Sequence, residues 1–146
     1  MIQDPQLAEF CDVFHKLDKH CTNKLYKAYT DDIEFRDPLH RITGITALQQ
    51  YFSALYENVT ECRFTFHEGQ RLGDDAFLVW TMSLKHPRLA GGKRIDVEGC
   101  SRLVFADDAS GRVCRHRDYF DVGELLYEHL PLLGPTIRLI KRRAGD

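Results

Sequence analysis

The hydrophobic pattern of this 146-residue chain changes period near residue 60, and that change limits the fold more than any other feature. Before it, apolar residues recur at three and four, the spacing of a helix face. After it they alternate, the spacing of strands. Residues 62–72, 76–87, 94–106 and 112–121 read as four long strands. Gly73-Asp74-Asp75, Ala90-Gly91-Gly92-Lys93 and Asp107-Asp108-Ala109-Ser110-Gly111 separate them, and each is a turn sequence of hairpin length. Long strands on short turns give an antiparallel meander, not a doubly wound sheet.

The first half supplies the helices. Asp4-Pro5 is a helix start, and Leu7, Phe10, Cys11, Phe14 and Leu17 mark its apolar face. Thr22 caps a second short helix carrying Leu25, Ala28 and Tyr29. Ile33 to Asp37 alternates as a short strand stopped by Pro38. After Thr43-Gly44, Thr46 and Gln49 stand in capping-box relation, and Leu48, Tyr51, Phe52, Leu55, Tyr56 and Val59 follow at helical spacing. A last helix is expected from Asp121 to near Pro131, followed by a basic tail from Thr136 to Arg143. Helices first and a curved antiparallel sheet second make an α+β fold, with the sheet bent around the helices and a pocket between them. At about 100–200 residues per domain the chain is one domain, residues 1–146.

Composition narrows the function. Lys+Arg 20 against Asp+Glu 22 gives a net charge of −2, which lacks the footprint of a nucleic-acid binder. No apolar run approaches the roughly 20 residues that span a bilayer, and the start lacks a secretory pattern. The expected location is the cytoplasm. Five cysteines without a C-x-x-C pair suit free thiols rather than a disulfide framework or a zinc knuckle. The seven histidines do not assemble a metal set by spacing, since His15 and His20 are five apart and His116-x-Asp118 offers only two ligands. No metal and no organic cofactor are expected. Gly91-Gly92-Lys93 lacks the rest of a phosphate loop. In the tail, Arg138, Lys141, Arg142 and Arg143 alternate with Ile137, Leu139 and Ile140, which reads as a docked, solvated segment before a membrane-surface contact.

Two stretches carry a resemblance: Tyr29-Thr30-Asp31-Asp32-Ile33-Glu34-Phe35-Arg36-Asp37-Pro38, and Gly111-Arg112-Val113 through His116-Arg117-Asp118-Tyr119-Phe120-Asp121. With the element order, they make the chain resemble the nuclear-transport-factor-2-like superfamily. That superfamily includes the ketosteroid isomerases, the SnoaL-like polyketide cyclases and the limonene epoxide hydrolases. The resemblance implies a cone-shaped, cystatin-like fold. It places Asp37 where ketosteroid isomerases carry their general base, and Asp118 in a segment similar to one bearing a catalytic aspartate of the epoxide hydrolases. The isomerase oxyanion hole maps near Val13 and Ser101, which cannot supply its acidic pair. The hydrolase arginine and second aspartate map to Ser83 and Lys85. Neither named reaction carries over intact.

Parity nominates the pocket. Asp37 shares a face with Phe35; Cys114, His116, Asp118 and Phe120 share one on the last strand; Ser101 shares one with Val97, Gly99, Leu103 and Phe105. In an aromatic cone, desolvation and a second carboxylate both raise a carboxyl pKa, which suits proton exchange with a carbon acid or a water. Asp118, Asp37 and His116 are therefore the candidate catalytic residues, and Phe35, Phe52, Lys85, Ser101 and Phe120 the candidate ligand contacts. His116 and Asp118 are roughly 7 Å apart along the strand, facing one way without an automatic hydrogen bond. Asp37 alternatively caps the turn before Pro38. An inward Lys85 would pair with a carboxylate, bind an anion or snorkel to solvent. The expected activity is acid/base isomerisation, cyclisation or hydrolysis of an apolar small molecule; the competing class is a non-catalytic binding or interaction module. Trp80, Met82, Leu84, Cys100 and Val104 are assigned to the outer sheet face, where they predict a homodimer.

Overall fold

The computed structural model describes residues 2–18, 20–126, 129 and 133–145. Helix α1 (Pro5–His15) begins where Asp4 accepts the Leu7 backbone N–H at 2.9 Å, with Pro5 in the first turn. Its buried face is Leu7, Phe10, Cys11 and Phe14. A 3-10 helix over Thr22–Lys27 leads into strand β1 (Tyr29–Arg36), and a turn brings back β2 (Arg41–Thr43). Helix α2 (Ile45–Asn58) buries Leu48, Phe52 and Tyr56. Its N-cap is Gly44 at φ 91°, without a capping side chain, so the Thr46–Gln49 box does not form. Gln49 Nε2 instead donates to the Asn23 carbonyl at 3.1 Å, tying α2 to the 3-10 helix.

The meander follows as β3 (Glu61–Leu72), β4 (Asp75–Lys85), β5 (Ile95–Phe105) and β6 (Val113–Phe120). The sheet order is β2-β1-β6-β5-β4-β3. The four long strands pair antiparallel as the alternation requires, but β1 lies parallel to β6, with Phe35 opposite His116. Helix α2 and four strands, β2 to β5, stand between β1 and β6 in the chain, ample length for the crossover that parallel pairing needs. Register shifts at Phe66/Glu68 and Val104/Phe105 bend the sheet around α1 and α2. The second shift moves Cys114 out of register, so Val113 takes the buried position there.

Strand β4 faces the opposite way from the sequence expectation. Ala76, Leu78, Trp80, Met82 and Leu84 are buried under the helices, and Phe77, Val79, Thr81, Ser83 and Lys85 alternate with them. Apolar residues at both parities made the strand ambiguous; the larger side chains took the core. Trp80, Met82 and Leu84 therefore leave the outer face. At the C-terminal end Asp121 caps a helix, as its spacing predicts, but α3 (Val122–Leu125) has only four residues. The expected stop at Pro131 lies outside the described residues. The basic tail is a second helix, α4 (Leu133–Ala144), and Lys141 Nζ meets Asp121 Oδ2 at 2.5 Å.

Trp80 sits over Gly99, its cross-strand partner, and a Cβ on Gly99 would overlap the indole. Gly99→Ala is therefore expected to lower stability by about 1–3 kcal/mol through overpacking. Urea unfolding checks this, followed by fluorescence of the chain's single tryptophan.

Candidate active site

Inward positions of β4, β5 and β6 build one hydrogen-bonded chain. Ser101 and Asp118 are direct cross-strand partners, and Ser101 Oγ donates to Asp118 Oδ1 at 2.5 Å. Trp80 Nε1 donates to the same Ser101 Oγ at 2.8 Å. His116 Nε2 also lies 2.5 Å from Asp118 Oδ1, and Tyr29 OH lies 2.6 Å from His116 Nδ1. Tyr29 is buried, and burial first, the Asp118 charge second, holds its phenol well above the usual range. A carboxylate only accepts, so His116 Nε2 carries a hydrogen and donates to Asp118, while the protonated Tyr29 phenol is the partner of Nδ1. Both protein donors fall on Oδ1. Among the described residues none reaches Oδ2.

His116 meets Asp118 despite the two-residue spacing because it is held from behind. Tyr29 fixes its far nitrogen, and the rings of Phe35 and Phe10 stand 4.9 and 5.8 Å from it, centroid to centroid. These contacts lean the imidazole along the strand toward the carboxylate. Parity showed the shared face, but the aromatic wall that tilts the ring comes from α1 and β1.

Asp37 has a different setting. Its Oδ1 accepts the backbone N–H groups of Leu39 and His40 at 2.8 and 2.7 Å, with His40 Nδ1 at 3.2 Å. Its Oδ2 accepts from Tyr51 OH at 2.8 Å. The carboxylate ties the turn after β1 to α2, with both oxygens engaged. Burial, with the Asp37 charge second, pushes the Tyr51 phenol far above its ordinary value.

Both carboxylates border a cavity of about 180 Å³ between α1, α2 and the sheet. Phe35, Phe52, Ser101, His116 and Phe120 also line it, as do Trp80, Tyr51 and His40. Asp37, Asp118 and Phe120 also border a shallower depression of about 420 Å³ outside, so the acids stand between cavity and solvent. Lys85 is not in this wall. Its ammonium is 3.5 Å from Glu61 Oε2 at the far end of the β3–β4 pair, which follows from the reversed face of β4. Val13 is likewise outside the lining. Among the described residues no three His, Cys, Asp or Glu side chains converge as a metal set.

The fold has counterparts among known proteins. A model of the SnoaL-like domain matches residues 7–116. The chain belongs to the SnoaL-like family. Its fold is that of the nuclear-transport-factor-2-like superfamily. TsrD from Streptomyces laurentii is similar at 17% identity and TM-score 0.73, covering 90% of this chain and 99% of that one. A hypothetical protein from Catenulispora acidiphila DSM 44928, with a ketosteroid isomerase-like fold and solved with trimethylamine, aligns at 13% identity and TM-score 0.74, covering 88% and 95%. An NTF2-like protein of unknown function from Burkholderia pseudomallei K96243 aligns at 16% identity and TM-score 0.69, covering 83% and 92%. No curated protein matches.

For this SnoaL-like chain, sequence reasoning missed Tyr29, Trp80, Tyr51 and His40. Tyr29 and Tyr51 were placed on helical faces as packing residues, and only their partners reveal the polar ends. Trp80 was placed on the wrong side of the sheet. The one available signal was its parity with Ala76 and Leu78.

Burial pushes the thiols of Cys11 and Cys62 up to about 12, and the buried tyrosines shift the same way. These groups are neutral while protonated, so the unfolded chain releases their protons first as pH rises. Their stabilisation is complete below pH 9.0, the ordinary thiol value, and is lost as pH climbs toward about 12. Urea midpoints should fall steadily above about pH 9, and a flat profile there would contradict the buried, protonated assignment.

Proposed function

We propose that this SnoaL-like chain is a cofactor-independent enzyme that moves a proton on a compact apolar molecule, with Asp118 as the proton carrier. One observation carries the reading: a carboxylate at the mouth of an apolar cavity has one oxygen fixed by two donors and the other without a partner among the described residues. In isomerisation, Oδ2 takes a proton from a carbon next to a carbonyl, the electron pair moves into the enolate, and the carboxyl returns the proton at a second carbon. Ser101 and His116 hold Oδ1, so the carboxylate changes protonation without changing position. The same carboxylate serves cyclisation when the carbanion attacks a second carbonyl, and hydrolysis when it deprotonates a water. Asp37 positions Tyr51 and the turn at the mouth rather than carrying the proton, since two backbone N–H groups and the Tyr51 hydroxyl already occupy both its oxygens.

Size selects the substrate class. An apolar cavity of roughly 150 Å³ takes one benzene ring, and this one is about 180 Å³. A single-ring compound fits; a fused polycycle does not. Phe35, Phe52 and Trp80 cause the narrowing, and it also favours the second reading, a binding module in which Asp118 is only the partner of His116. A cytoplasmic location is part of the same proposal, since five cysteines without a C-x-x-C pair suit a reducing compartment.

Asp118→Asn separates the two readings. For the enzyme, turnover of single-ring enones or epoxides should drop by about 10²–10⁴-fold, while binding of the unreactive ring changes little. A loss of about 3–5 kcal/mol on unfolding, beside a wild type inert toward every compound, would mark Asp118 as structural instead. We also propose a homodimer through the outer face of β4, where Phe77 and Val79 remain exposed. Sedimentation at micromolar concentration should show the pair; a monomer there rejects it.

A further inference from the structure

The outer face of the sheet carries an arrangement that strand pairing alone does not favour. Arg36 is the direct cross-strand partner of Arg41 on β2 and of Arg117 on β6, and Arg117 is in turn the partner of Arg102 on β5. Four arginines thus stand in one row across four adjacent strands, side chains on the same face. Like charges placed directly opposite destabilise a sheet. Arg102 is compensated by Asp75 at 3.0 Å, and Arg115, in the next row, by Glu34 at 3.2 Å. Arg36, Arg41 and Arg117 have no carboxylate within 4.0 Å among the described residues, and Arg117 lies over the Tyr119 ring at 4.6 Å. The row borders a groove of about 410 Å³ whose lining holds all five arginines and one acid, Glu34.

We propose that Arg36, Arg41 and Arg117 form a binding site for a small polyanion bearing phosphate or carboxylate groups. Adjacent strands are about 4.8 Å apart, so three guanidinium forks stand close enough to converge on one multiply charged group. Each fork matches the paired oxygens of a phosphate or carboxylate. The bases of all three arginines are ladder positions rather than loop positions, which holds them in place before any ligand arrives. Arg117 and Arg41 both hold the Arg36 guanidinium below its ordinary range, the direct mark of three crowded positive charges. The bounded groove and the overall charge of −2 fit a small ligand rather than a nucleic acid, whose phosphates the rest of the surface would repel. The site stands on the β2–β1–β6 side of the outer face, and the same three arginines also border, with Asp37 and Asp118, the depression outside the cavity mouth.

Isothermal titration with sodium pyrophosphate and, separately, sodium citrate reads the site, with sodium chloride at matched ionic strength as reference. Wild type should bind at least one of the two. Arg36→Gln and Arg117→Gln should each weaken that binding by about tenfold or more, and Arg36→Lys should recover part of it. Pyrophosphate preference assigns a phosphate ligand, and citrate preference a polycarboxylate. In anion-free buffer the glutamine variants should melt at or above the wild-type temperature, because each removes a repulsion, so a folding defect cannot imitate lost binding. Heats no larger than those of chloride, or an affinity unchanged in the Arg36→Gln/Arg117→Gln double variant, would overturn the proposal.

Discussion

The Asp118 carboxylate is the knot to which the separate parts of this domain are tied. Through Ser101 it holds β5 and, one bond further, the Trp80 indole of β4. Through His116 it reaches Tyr29 on β1. A buried charge is tolerated only when donors meet it, and here the two direct donors come from β5 and β6, backed by Trp80 on β4 and Tyr29 on β1. The aromatic packing complements this: the rings of Phe10, Phe14 and Phe35 stand around His116, and the polar chain meets the cavity beside them. The requirement to satisfy Asp118 and the requirement to keep one of its oxygens open are met by the same side chains.

The two aspartates show how environment divides labour between identical groups. Asp37 sits in a turn whose backbone N–H groups point at it, and Tyr51 covers its other oxygen. Asp118 sits mid-strand, where the backbone is committed to the ladder and only side chains are available. A turn aspartate is satisfied locally; a strand aspartate depends on what the neighbouring strands bring. That difference leaves room for chemistry at the second and little at the first.

Much of this was legible in the residues. The meander, the Asp4 and Asp121 caps and, Cys114 apart, the inward set on β5 and β6 follow from period and capping chemistry. The reversal of β4 shows where such reasoning stops. With Phe77 and Val79 on one face and Trp80 and Met82 on the other, alternation carries no sign, and only packing against α1 and the hollow over Gly99 decides. The Lys85 assignment failed with it. The Tyr29–His116 bond was not legible at all, because it joins residues 87 positions apart through a pairing that no local pattern encodes.

The parallel β1–β6 pairing has a consequence for how the molecule comes into being. It joins residues more than 80 positions apart, Tyr29 to Val113 and Phe35 to His116. Closing so large a loop is entropically unfavourable until the intervening meander exists, so this seam belongs among the late contacts of folding. Tyr29, Phe35 and Asp37 lie on one side of the seam, His116 and Asp118 on the other. During synthesis the chain therefore has no cavity until its last strand has left the ribosome, and a nascent chain ending short of β6 has helices and hairpins but nothing with which to hold a ligand.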